Sequence, residues 1–261
     1  MPSPGALPRR DRAAILIGLA GVTLLAWTYL LLTARGMSAM DRMGGMAGMA
    51  GIRPWSGSDF LLMFLMWAVM MVGMMVPTAA PMTLIYAAVA RKAVSQGSPL
   101  APTGVFVAGY VAMWTLFSLA ATTAQWALDQ AALLSPMMVA NSPALGAALL
   151  IAAGFWQLTP FKNACLQHCR APAMFFADHW RDGYAGAFRM GLGHGAYCLG
   201  CCWVLMGLLF VGGVMNLLWI AAIALFVLLE KVVPHGVLGG RLAGVLMILA
   251  GILLLAGFSA G

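Results

Sequence analysis

Charge is the scarcest ingredient of this 261-residue chain: 8% of its residues are Asp, Glu, Lys or Arg, against 63% hydrophobic. Soluble domains carry about 25% charged residues, so a water-facing globular surface is excluded and the membrane class is indicated. Carboxylates number seven and histidines four, which gives a metal-dependent oxidase little support. No glycine-rich phosphate loop or acylphosphate motif identifies ATP-driven transport, so uphill movement of a cargo would need a gradient or a partner. The cysteines number five, an odd count that cannot pair completely within one chain.

What is abundant is apolar sequence in long runs. A bilayer-spanning helix needs roughly 20 such residues. Seven runs stand out: Ala13–Thr33, Phe60–Ala90, Pro102–Leu128, Pro143–Thr159, Gly186–Gly212, Met215–Val233 and Leu238–Phe258. They predict an all-α polytopic membrane helix bundle of about seven spans, a single domain over 13–258 behind a cytoplasmic tail of residues 1–12. The first run follows Arg9, Arg10 and Arg12 as a signal peptide would. It is longer than a cleaved signal core and lacks a clean cleavage site, so a retained helix is expected. With the N-terminus inside, eleven Lys and Arg fall on the inner side, and only Arg35, Arg42 and Arg53 on the outer. That asymmetry predicts N-in and C-out. It also accounts for the net charge of +7 by topology and anionic lipid, without nucleic acid. The expected setting is a bacterial inner (cytoplasmic) membrane, crossed several times.

The chemistry sits in sulfur and imidazole. On the fifth run, His194, Cys198, Cys201 and Cys202 fall within an arc of roughly 100° of a helix turning 100° per residue. Polar groups at that depth are costly, and such a cluster suits a soft metal ion. Gly191, Gly195 and Gly200 remove side chains around this face and permit close approach of a neighbouring helix. Before it, residues 160–187 read as a cytoplasmic loop with an interfacial segment. That loop carries Cys165, His168 and Cys169, which share one side with Lys162 if helical and have metal-ligand spacing, with small buried residues or lipidation sites as the plain alternative for the cysteines. Residues 34–58 read as a mobile, glycine-rich external loop with Met37, Met40, Met43, Met46 and Met49 at every third position. On the second run Met63, Met66, Met70 and Met74 form a stripe, and Pro77 and Pro81 predict a kink. Thioethers bind Cu(I) without deprotonation, so loop and stripe together suggest a path into the bundle. Methionine packing in an irregular core is the plain alternative for the stripe. Glu230-Lys231 reads as an inner-boundary ion pair, with Lys231 or a neighbouring helix as the partner of Glu230. The polar residues of the third run read as helix–helix glue.

Several of these motifs resemble one bacterial family. They are Lys162-x2-Cys165-Leu166-x2-Cys169-Arg170-x-Pro172, Cys198-x-Gly200-Cys201-Cys202-Trp203-x2-Met206, Gly213-x-Met215-Asn216 and Glu230-Lys231. Met66-Trp67 and Met74-Met75-Val76-Pro77 are similar as well. The family is that of predicted metal-binding integral membrane proteins called domain of unknown function 2182. The resemblance runs from about Asp59 to Val233 and implies a membrane metal site; the methionines at 37–49 lie outside it.

The expected function is binding of a soft transition metal for transport, buffering or delivery to a partner metalloenzyme. Cu(I) is the first choice and zinc the second. The expected partners are the lipid bilayer and a copper enzyme or soluble copper carrier. Two other readings stay open: a thiol–disulfide oxidoreductase using Cys198/Cys201 and Cys165/Cys169 as relayed pairs, and an accessory or scaffold subunit.

Overall fold

The computed structural model describes residues 7–42, 55–99, 101–135 and 138–259. Among the described residues the chain is helical throughout and forms no β-strand. All seven apolar runs are helices: α1 (Arg9–Arg42), α2 (Gly57–Ser95), α3 (Thr103–Gln130), α4 (Pro143–Leu158), then α5 (Pro160–Arg170) and α6 (Pro172–His179), α7 (Gly183–Gly207) with its short continuation α8 (Leu209–Gly212), α9 (Leu217–Val232) and α10 (Gly236–Ser259). Five of these spans are long and apolar enough to cross a membrane. Helices α4 and α5, bent by 64° where they meet, make a sixth if taken as one broken span. At 16 residues α9 falls short of that length. These lengths support a membrane protein, as does the ring of exposed Leu and Ile on α1 and α10.

Two segments expected as loops are in part helical. Helix α1 runs on to Arg42, so Met37 and Met40 lie on it rather than in an external loop. The stretch 160–187 folds as α5, α6 and the start of α7. Thr159 caps α5 by accepting from the Lys162 amide (3.2 Å), and Pro160 occupies the first turn, where a missing N–H costs nothing. α6 buries Phe175 and Phe176.

The core lies among α2, α3, α5, α7 and α9, with α1 against α2 and α10 against α4 on the flanks. Helices α3 and α7 cross at backbone contact. A Cβ on Gly191 would strike the Phe106 carbonyl, and one on Gly109 the Phe188 carbonyl. Gly195 continues the same face one turn on, where a Cβ would stand 2.7 Å from that of Met113. The close approach expected of these α7 glycines is therefore made to α3.

Pro77 and Pro81 sit inside α2. Proline at 77 has no N–H for the Gly73 carbonyl one turn back. Trp27 of α1 supplies the missing donor, its Nε1 reaching Gly73 O at 3.2 Å. The break in α2 is thus satisfied from a neighbouring helix, as a bilayer interior requires.

Candidate metal centre

Helix α7 carries Cys198, Cys201 and Cys202, all buried. The thiols of Cys201 and Cys202 each donate to the Cys198 carbonyl at 3.0 Å, which holds both against their own helix. The bend after α4 lays α5 along α7. It brings the Cys169 thiol within hydrogen-bonding reach of Cys198 and Cys201. Cys165 lies one turn earlier on α5. A Cβ on Gly200 would meet its sulfur at 2.7 Å, so the missing side chain is what admits that thiol. All five cysteines are free, and the structure gathers the two sequence clusters into one.

Cys198 differs from the others in having polar side chains from two other helices against its sulfur. Tyr110 of α3 places its hydroxyl 3.0 Å from the sulfur, and Lys231 of α9 its Nζ at 2.9 Å. Lys231 also donates to Thr78 Oγ1 (3.2 Å), and the Thr78 hydroxyl donates to Met75 O (2.8 Å). The Tyr110 hydroxyl reaches the same carbonyl at 3.0 Å. Helices α3 and α9 therefore reach this one sulfur of α7 directly, and α2 holds both of the groups that do so.

His194, one turn before Cys198, is buried and stacked on Tyr110 (centroids 5.3 Å apart) and Phe106 (6.1 Å). Its Nδ1 has no hydrogen-bond partner. Buried polar atoms are normally satisfied, so this nitrogen is available as a donor to something else. His168 takes another course. It stacks flat on Tyr197 at 4.0 Å with Nδ1 against Ala164 O (2.9 Å), and does not join the thiols. It lines instead an open cleft of ≈ 460 Å³ with Arg170, Met174 and Asp178.

The methionine stripe faces inward. Met66, Met70 and Met74 are buried, together with Met71 and Met75, in the same core as the three α7 cysteines. Half-buried Met63 stands towards the α2 N-terminus, its sulfur 3.6 Å from Gln125 Nε2, while Trp67 Nε1 donates to Gln125 Oε1 at 2.6 Å. From Met63 to Met75 the column runs about 18 Å at 1.5 Å per residue. Met37 packs at the edge of this core. The Met40 side chain and Met43, Met46 and Met49 lie outside the described residues.

Tyr110, Thr78 and Lys231 were not singled out as site residues from sequence. Glu230 does not pair with Lys231 but with Lys162 of α5, in a buried ion pair. Successive residues on a helix point about 100° apart, which is the signal that Glu230 and Lys231 serve different neighbours. Arg170 closes the end of α9, donating to Glu230 O (2.9 Å), Val233 O and Pro234 O (both 2.8 Å).

Among the described residues no three His, Cys, Asp or Glu side chains stand already in a metal-holding arrangement. The donor set is nonetheless soft. Thiolates and thioethers select Cu(I), and a d10 ion that accepts two sulfurs needs only a pair to turn towards it. In comparisons with known proteins, a family profile described as PpoB2, a copper chaperone, matches residues 64–254. That segment contains the whole of this cluster and nearly all of the methionine column. The metal-binding family expected from the motifs is thus found as a copper-related one, although the match does not carry the name domain of unknown function 2182. No curated protein and no solved structure matches.

Proposed function

Since the chain belongs to the PpoB2 copper chaperone family, and its function is copper-related, we propose that it carries Cu(I) through a membrane-embedded thiol centre for delivery to a partner protein. The observation that carries this reading is the meeting of α5 and α7. Cys169 comes from outside the helix that bears Cys198 and Cys201, yet its thiol lies within hydrogen-bonding reach of both. Sulfurs from two helices can close on one ion, and His194 adds an unpartnered nitrogen nearby. The methionines of α2, with Met37, Met40, Met43, Met46 and Met49 ahead of them, would capture copper reversibly on the outer side. Thiolates bind more tightly and release protons on binding, which suits retention before transfer. His168 lines the open cleft on the side of α5 and would meet an incoming acceptor, with Cys165 behind it against Gly200 of α7. In this reading copper is the cargo, and the setting is the bacterial inner membrane with the N-terminus inside.

The test is elemental analysis of detergent-purified protein under reducing conditions, wild type beside Cys198→Ser/Cys201→Ser. Copper at one or more ions per chain, lost in the double variant, supports the thiol centre. Copper kept in that variant moves the site to the methionines. The same Cys169–Cys198 and Cys169–Cys201 contacts favour a second reading, thiol–disulfide exchange. Metal-free wild type that forms reversible disulfides would support it over ours.

A further inference from the structure

A lysine inside a bundle of apolar helices needs a reason. Lys231 is buried, donates to Cys198 Sγ at 2.9 Å and to Thr78 Oγ1 at 3.2 Å, and among the described residues forms no ion pair. The carboxylate next to it in sequence, Glu230, is held by Lys162. The positive charge of Lys231 is therefore directed at the thiol centre, with no carboxylate bonded to it among the described residues.

We infer that Lys231 sets the charge of the ion the centre accepts, admitting a monovalent soft cation and rejecting a divalent one of equal softness. The inference rests on the thiol centre proposed above. Its physics is a count of charges. Two thiolates, one monovalent ion and one ammonium sum to zero, which an apolar interior tolerates. For the same two sulfurs a divalent ion leaves one positive charge unmatched, a few ångströms from Nζ. Softness alone does not discriminate here, because thiolates also bind Zn(II) and Cd(II). Thr78 contributes by position. Its hydroxyl proton is committed to Met75 O, so its oxygen receives the ammonium and keeps Nζ against Cys198 rather than turned towards Glu230. Lys231 is thus a specificity-determining residue and not a ligand.

The test separates charge from softness with Ag(I) and Cd(II), two soft d10 ions. Full-length protein in detergent is offered both at equal concentration, and the bound metals are counted by elemental analysis. Wild type is expected to take Ag(I). Lys231→Met is expected to lose roughly a hundredfold to a thousandfold of that preference, the size of one unit-charge interaction at a few ångströms in a partly screened interior. Lys231→Arg, which keeps the charge, retains the preference. Lys231→Gln, which keeps a hydrogen-bond donor without charge, behaves like Lys231→Met and serves if that variant does not fold. An unchanged ratio in Lys231→Gln overturns the inference while leaving the thiol centre standing. Wild type that binds neither Ag(I) nor Cu(I) overturns both. Equal uptake of both probes by wild type that binds Cu(I) overturns the inference alone.

Discussion

Removing Lys162 should harm this protein far more than removing Lys162 and Glu230 together. Both side chains are buried, at 1% and 4% exposure, and they pair across α5 and α9. Lys162→Met leaves the Glu230 carboxylate in an apolar interior with no counter-charge. Breaking such a pair costs about 3–5 kcal/mol, whereas replacing both partners with apolar residues of similar volume is often neutral. For a chain of this size each kcal/mol moves Tm by about 2–4 °C, so the single variant should melt on the order of 10 °C lower. The double variant Lys162→Met/Glu230→Met should recover most of that loss. The assay is thermal unfolding in one detergent, followed by tryptophan fluorescence, with copper content measured in parallel. Because α5 carries Cys165 and Cys169, the single variant should also lose copper, and the double variant should regain it. A single variant within about 1 kcal/mol of wild type, or a double variant worse than either single, would refute the reasoning. The pair would then not be what holds α5 in place.

Trp27→Phe removes the donor to the Gly73 carbonyl and should cost about 1–3 kcal/mol, the penalty of an unsatisfied buried acceptor. Pro77→Ala in the Trp27→Phe background should restore stability by returning an N–H to that carbonyl; no recovery would mean the contact is incidental. Gly191→Ala should destabilise by about 1–3 kcal/mol or more, because the added Cβ meets the rigid backbone of Phe106. Gly200→Ala meets only the rotatable Cys165 thiol, so its stability should stay near wild type while Cys165 alkylates faster. Tyr110→Phe should cost about 1–3 kcal/mol through loss of its contacts with Met75 O and Cys198, yet copper should remain bound, since a hydroxyl is not a soft ligand. Copper loss in that variant would make Tyr110 part of the centre itself.

The helices were legible from hydropathy, because each apolar run is a helix, most of them within a few residues of their expected ends. The clustering of Cys198, Cys201 and Cys202 on one side of α7 was legible too, since helical phase alone puts them there. The fold-back of α5 was not. Hydropathy assigns Cys165 and Cys169 to a boundary after Pro160, and it has no means of saying that the chain bends there by 64° and returns to α7. Tyr110 and Lys231 escaped for a different reason. Each is a single polar residue whose role depends on which helix lies opposite, and that pairing is a tertiary fact. In the stretch after Thr33, glycine content suggested a loop. The residues from Ala34 to Arg42 hold only one glycine among good helix formers, and α1 simply continues.

Helices α4 and α9 have 16 residues each. At 1.5 Å per residue that is about 24 Å, against roughly 30 Å for the hydrocarbon layer of a typical bilayer. Lipid beside them must compress, or headgroups and water must sink to meet the helix ends. Both short helices border α5 and therefore the cysteines. A bilayer that thins to match α4 and α9 would be thinnest beside the thiols, and an ion or an acceptor coming from the inner side would then have less hydrocarbon to cross there. The same hydrophobic mismatch would sort the protein towards thin regions of the membrane.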